Sequence, residues 1–342
     1  MKVGVHPCGR DNHILDVPGG LGLAHRSFRE PLNGVCTGFT VLQPSFELNR
    51  RRAAAVFALN AAGELTGTHQ INEWGFLDTP ITLTNTTSAG RAYDVVSQWM
   101  MRKVPAIGET SSVVIPVVGE CDDSVLHDPR AAAWGGRELF DALDESHRLA
   151  EQNQSRTATL PRAAFAQGDV GGGTGMIAFD LKAGIGSASR VVLVAGMQVT
   201  VGVLLQTNFG TREQLTVLGR NVGPSLKQEL PRKHREGSCI GVLATNAPLS
   251  PLGLRRLAKR MSLGLARAGG HAHHGSGEIF LAFSTADRST HELSWETDEW
   301  NPLLQSAVEA TEEAVYGSLL GAKRVANARA TVAALEPADV SG

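Results

Sequence analysis

The sequence predicts an α/β protein of the α+β type, rich in sheet, and three observations carry that reading. Runs of apolar or small residues at 191–195, 200–205 and 239–244 read as strands, the last of them buried on both faces. Stretches at 137–152 and 302–334 repeat apolar residues at helical spacing. The 38 glycines fall in short apolar contexts rather than in repeats, which reads as tight turns between strands.

The chain has 342 residues, enough for one large or two medium domains. Hydrophobic residues make up 42% and charged residues 19%, as in a soluble globular protein. A net charge of -2 argues against a nucleic-acid or membrane-surface role. No stretch approaches the roughly 20 apolar residues of a transmembrane helix, and residues 1–7 lack a signal peptide's apolar core. Cys8, Cys36, Cys121 and Cys239 show no paired spacing, so no zinc site or disulfide framework is expected, which fits a cytoplasmic setting.

In chain order, residues 15–20 read as a turn and 38–44 as a short strand. The basic run Arg50, Arg51 and Arg52 reads as a solvated face. Residues 53–59 and 70–76 read as strands flanking the turn Ala61-Ala62-Gly63. Residues 79–86 are β-rich, with a polar tail able to place side chains at a site. Tyr93, Val96, Met100 and Met101 mark a helix. The apolar strand 113–118 ends in Gly119-Glu120-Cys121-Asp122-Asp123. A carboxylate just past a buried strand is well placed for a site, and equally reads as a solvated loop acid.

The glycine-dense segment 168–176 tempts a phosphate-loop reading. No Gly-Lys-Ser/Thr follows it and no clear strand precedes it, so nucleotide binding is disfavoured. Asn208 stands at the end of a strand beside Gly210, where its amide could donate to an oxyanion or merely cap a turn. Ser250 and Pro251 read as the N-cap and first residue of a helix with Leu254, Leu257, Ala258, Met261 and Leu265 on its apolar face. His271, His273 and His274 lie in a glycine-rich connection with no outside metal ligands in view. Residues 275–278 precede a strand at 279–285, and 336–342 read as a loose tail.

The pivotal stretch is 232–245. Charged or polar residues 232–236 read as a mobile loop, and 239–244 as a buried strand. Ser238 sits at the seam, after Gly237. A hydroxyl there, next to a peptide bond that glycine leaves open to approach, points to an N-terminal nucleophile. Ser238 would attack the Gly237 carbonyl, cut its own chain and free an α-amine. That amine has an ordinary pKa of about 8 and can activate its own hydroxyl. An ordinary loop-to-strand junction is the other reading of these residues alone.

Several motifs occur in a fixed order: Asp16-Val17-Pro18-Gly19, Pro80-Ile81-Thr82-Leu83-Thr84-Asn85-Thr86, Gly171-Gly172-Gly173-Thr174-Gly175-Met176, Gly184-Ile185-Gly186-Ser187-Ala188-Ser189-Arg190, Asn208-Phe209-Gly210, Ala244-Thr245-Asn246-Ala247-Pro248-Leu249 and 276–285. From about residue 12 to about 320 the chain resembles the L-aminopeptidase/D-esterase family, which also contains the β-aminopeptidases. The resemblance implies a four-layer αββα sandwich and one catalytic domain, self-cleaved into a large subunit (1–237) and a small one (238–342). It implies removal of N-terminal residues from short peptides, amides or esters that carry a free amine, without metal or organic cofactor. It implies homo-oligomers of large and small subunit pairs, with no nucleic-acid or membrane partner. Carried over by position, Ser238 is the nucleophile and Asn208 the oxyanion donor. Ser276 and Glu278 match the pair that positions the new amine and hydroxyl. Glu120 matches the receiver of the substrate's ammonium. The chain departs from the family pattern at Cys121 and Asp122, where a second acid beside Glu120 would attract a cationic amine further and bear on substrate preference. A self-cleaving acyltransferase resembling ornithine acetyltransferase is a rival that Ser238 speaks against, since that group uses threonine. A non-catalytic relative that binds a small ligand is a second rival.

Overall fold

The computed structural model describes residues 2–154, 159–226, 229, 237–287, 293, 298 and 300–340. The charged loop 232–236 lies outside the described residues. The two main sheets contain ten strands, here β1 (Gly22–Glu30), β2 (Val35–Gln43), β3 (Arg52–Ala58), β4 (Phe76–Leu77), β5 (Ile81–Asn85), β6 (Val117–Cys121), β7 (Ile185–Val194), β8 (Met197–Asn208), β9 (Ser238–Thr245) and β10 (Gly277–Ser284). One sheet runs β1-β2-β5-β6, the other β4-β3-β10-β9-β8-β7. The helices used below are α1 (Thr68–Trp74), α2 (Ala89–Lys103), α3 (Gly136–Asn153), α4 (Pro251–Arg267) and α5 (Trp300–Leu320).

Three apolar cores stack these elements into an αββα sandwich. Side chains of both sheets meet in the middle: Leu42 and Leu83 from one, Val56, Leu204, Ile240, Val242 and Leu281 from the other. Val41 and Phe39 on the outer face of the first sheet pack on Trp99 of α2 and Leu143 of α3. Val203, Leu243 and Phe280 on the outer face of the second pack on Leu257 of α4 and Leu303 and Ala307 of α5. Strand β9 explains its own unbroken apolar run. Ile240, Val242 and Ala244 face the other sheet while Cys239 and Leu243 face the helices, so neither face meets water.

Close approach of α5 to β7 depends on one missing side chain. A Cβ at Gly186 would stand 1.8 Å from the Ala314 carbonyl oxygen of α5. Gly186→Val should therefore push helix and sheet apart and cost about 3 kcal/mol or more. A thermal melt checks this, and an unchanged Tm would refute it.

Four local expectations change in the fold. Residues 70–76, expected as a strand, are mostly helix α1. Gly67 and Gly75 bracket it with left-handed backbone (φ 76° and 71°), and Gly75 N–H closes the last turn on Ile71 O. Asn72 on this helix accepts from Val56 N–H, at 3.0 Å. Only 117–121 of the apolar run after 113 pairs as a strand, extended through Glu120 and Cys121. Pro116 has no N–H to give a ladder, and Val113 is exposed. The long helix stops at Leu320 instead of running to 334, and Val325–Ala326 pairs with Thr331–Val332 as a small hairpin. Arg52 is buried rather than solvated, donating to Thr285 O (2.8 Å) and Ser45 Oγ (2.9 Å). The N-cap of α4 is as expected, with Ser250 Oγ accepting from Gly253 N–H. No helix among the described residues is long and apolar enough to cross a membrane.

Candidate active site

The site forms where strand ends of both sheets meet. In the six-stranded sheet, β9 is antiparallel to β8 with Ser238 opposite Asn208, and parallel to β10 with Ser238 opposite Gly277. The end of one strand and the starts of two others thus fall side by side. Ser238 shares strand parity with Ile240, and Asn208 with Leu204, so both residues sit on the face toward the other sheet. That sheet contributes the ends of parallel strands β5 and β6, with Glu120 paired to Thr84 and Cys121 to Asn85.

A cleft of about 250 Å³ opens at this junction. Glu120, Asp122, Asn208 and Ser238 line it together with Thr86 and Gly237. Small residues Ala62, Gly63 and Gly275 form the remaining wall. Ser238 and Asn208 are nearly buried, at 6% and 9% exposure. Ser276 and Glu278 do not line the cleft; they are buried at the start of β10, flanking Gly277.

Each polar group is held in place. The Gly237 carbonyl, which precedes Ser238, accepts from Gly277 N–H at 3.0 Å. Asn208 Oδ1 accepts from Ile177 N–H (3.0 Å), and its Nδ2 donates to Asp122 O (2.9 Å). An amide nitrogen carries two N–H groups, so one is available to a ligand in the cleft. Asn208 is thus more than a turn cap: it joins three separate segments.

Glu120 accepts from Glu64 N–H through Oε1 (2.8 Å) and from the Thr86 hydroxyl through Oε2. Burial pushes its carboxyl above the usual range, and the charges of Asp122 and Glu64 add to this, while the Thr86 and Glu64 hydrogen bonds oppose it. Asp122 is exposed and its carboxylate accepts from Ser124 N–H and Oγ, both at 2.9 Å. Ser276 Oγ donates to Glu278 Oε1, and burial pushes the Glu278 carboxyl up. The Asn60 side chain also hydrogen-bonds with the Glu278 carboxylate, and this bond and that of Ser276 oppose the rise.

Cys121, an unusual residue by the sequence, hydrogen-bonds with Ser238, and its Sγ donates to Gln206 O at 3.7 Å. Burial pushes its thiol up to about 12, so it stays neutral and is no competing nucleophile. The site residues that the sequence did not single out are Thr86, Glu64 and Gly277. Thr86 closes the polar tail of the 79–86 stretch, which was legible as site-forming. Glu64 and Gly277 act through backbone N–H groups, which leave no side-chain signal.

The model of Peptidase family S58 matches residues 12–333. The beta-peptidyl aminopeptidase BapA of Sphingosinicella microcystinivorans is 35% identical over 345 residues, covering 92% of this chain and 82% of that protein. Among solved structures, a Burkholderia sp. beta-aminopeptidase is 34% identical with a TM-score of 0.84, covering 99% of this chain and 95% of that one. The L-aminopeptidase D-Ala-esterase/amidase of Ochrobactrum anthropi, a prototype of the serine aminopeptidases with a variant of the Ntn hydrolase fold, is 32% identical. Its TM-score is also 0.84, with 98% of this chain and 94% of that one covered. With the family model spanning nearly the whole chain and an αββα sandwich around the cleft, the protein belongs to peptidase family S58 and is a hydrolase of the aminopeptidase kind.

Proposed function

We propose that the chain matures by cutting its own Gly237–Ser238 bond and then works as an aminopeptidase with Ser238 as N-terminal nucleophile. The observation that carries this reading is the strand register that sets Ser238 between Asn208 and Gly277, with Gly277 N–H on the carbonyl of Gly237. In maturation, Ser238 Oγ attacks that carbonyl carbon while Gly277 N–H steadies the developing oxyanion. The C–N bond breaks as the hydroxyl proton passes to its nitrogen, leaving Gly237 as an ester on Ser238 and freeing the α-amine. Water hydrolyses the ester, and Gly237 leaves as a carboxylate. Strand β9 lies between β8 and β10, so the two pieces would remain locked in one sheet.

Turnover reuses the same parts. The Ser238 amine takes the proton from Oγ as it attacks the substrate carbonyl, and later gives it to the leaving amine. Water then hydrolyses the acyl group left as an ester on Oγ, freeing the hydroxyl, and Asn208 Nδ2 donates to the oxyanion in both steps. Glu278, steadied by Ser276 at the start of β10, would hold the new ammonium of Ser238 in place. Glu120, with Asp122 adding negative charge at the mouth, receives the substrate's free ammonium. Pairing a buried carboxylate with that ammonium discriminates strongly against blocked substrates. The expected substrates are short peptides, amides or esters with a free amine. The beta-peptidyl activity in the relatives' names makes β-amino residues the first class to compare with α-amino ones.

Intact-mass measurement of freshly purified protein tests maturation. Two species are expected, one ending at Gly237 and one starting at Ser238. A full-length species that persists on standing would overturn the reading. The ammonium site has its own check, an alanine p-nitroanilide against its N-acetylated form. The blocked form should react at least about 100-fold more slowly, the loss expected when a buried polar group is left unpaired. Equal rates would remove Glu120 from this role.

A further inference from the structure

Lys182 has no part in the reaction as drawn so far, yet it is wholly buried. Its Nζ donates to three carbonyls: Gly173 O at 3.1 Å, Met176 O at 2.8 Å and Ala183 O at 2.6 Å. Three ammonium hydrogens meet three acceptors, so the cage is complete. Burial still opposes the charge and lowers the pKa of Lys182 to about 8. A buried cation held only by carbonyls is costly to keep, and its position supplies a reason for it.

Met176 O and Ile177 N–H belong to one peptide group. Lys182 Nζ sits on the oxygen of that group. The N–H of the same group donates to Asn208 Oδ1 at 3.0 Å. Lys182 also pairs with Ile177 through the backbone, so the hairpin that carries the lysine carries the donor as well. The result is an aligned series: ammonium, peptide group, side-chain amide, cleft. In a low-dielectric interior each member polarises the next, which makes the final N–H a stronger donor.

We propose that Lys182 is a positioning residue for the reaction. Its ammonium fixes and polarises the Met176–Ile177 peptide, which orients the Asn208 amide and strengthens Nδ2–H toward the oxyanion. This rests on the oxyanion reading of Asn208.

The test is a double-mutant cycle on fully processed protein, with active sites counted by burst titration. Lys182→Met keeps the length of the side chain and removes the charge. It should lower kcat about tenfold to a hundredfold, less than loss of the oxyanion donor itself, with KM nearly unchanged. In the Asn208→Ala background the same substitution should change kcat by less than about threefold, because the group it acts through is gone. A purely structural lysine would lower Tm and leave kcat alone, or slow both backgrounds equally; either result overturns the proposal. An Asn208→Ala variant with unchanged kcat would instead sink the oxyanion reading beneath it.

If Lys182→Met does not fold, wild-type protein carries the test. The charged or titratable groups around Lys182 are Cys36, Asp169, Arg29 and Asp123. Burial raises Asp123 to about 7, and its charge opposes loss of the Lys182 proton. The Ser238 amine must be neutral to act as base and titrates in the same range in both proteins, so the ratio carries the test: at saturating substrate, kcat of wild type relative to Asn208→Ala should fall several-fold as pH rises through about 8. A ratio that stays level up to about pH 10 would overturn the proposal.

Discussion

Ser238→Ala should leave the chain uncut and inactive. The substitution removes the hydroxyl that attacks Gly237 in maturation, and with it the nucleophile that turnover needs. Loss of a nucleophile from a machinery of this kind costs on the order of a millionfold in kcat, so activity should fall to the assay background. The protein should still fold, because Ser238 is a small residue at the start of a strand whose apolar run continues unchanged. A melt close to that of wild type, one intact mass and no hydrolysis are the expected set. Ser238→Cys should cleave at least in part, since a thiol can make the same attack. If the alanine variant still yields two fragments, the cut is not made by Ser238, and a protease acting on the basic stretch 232–236 becomes the explanation.

Asn208→Ala should slow turnover far more than it weakens binding. Removing one oxyanion donor costs roughly 10²–10³ in kcat, or about 3 to 4 kcal/mol, and charge develops on the carbonyl only as the bond forms. Hence kcat and kcat/KM should fall together while KM changes little. The structure adds a second consequence. Asn208 also joins Ile177 N–H to Asp122 O, so the variant should lose about 1–3 kcal/mol of stability as well. A melt alone therefore cannot decide its role, whereas the rate can. Asn208→Asp should be slower still. It keeps an acceptor for Ile177 but sets a carboxylate oxygen against Asp122 O and against the forming oxyanion. Maturation passes through a similar intermediate, so rates must refer to the cleaved fraction. Unchanged kcat in fully processed protein would end the oxyanion assignment and leave Asn208 a structural tie.

Much of this site was legible in the sequence because its residues stand at changes of local pattern. Ser238 divides a charged loop from an apolar strand, Asn208 ends one strand, and Glu278 lies where another begins. Those boundaries follow from side-chain periodicity and chain breakers, which act over a few residues. The αββα layering came from resemblance, and the three stacked cores explain it. Two boundaries went astray at breakers that are themselves local. Gly67 and Gly75 close 68–74 as a helix, which Asn72 ties to β3, and Pro116 keeps 113–116 out of the ladder.

The sequence by itself determined which segments are apolar enough to be buried and which polar residues interrupt them. Tertiary structure alone decided what those residues face. Parallel pairing of β9 with β10 brings Gly277 N–H to the Gly237 carbonyl, although the two residues are far apart in the chain. Arg52 reads as a solvated cation in the sequence, yet it is buried because Thr285 O and Ser45 Oγ accept from it, and Lys182 is buried because three backbone carbonyls converge on it. The physical reason is that a backbone donor or acceptor is the same for every residue type. Where it points depends on strand register and loop path, and these are set by packing across the whole sandwich rather than by the residues on either side.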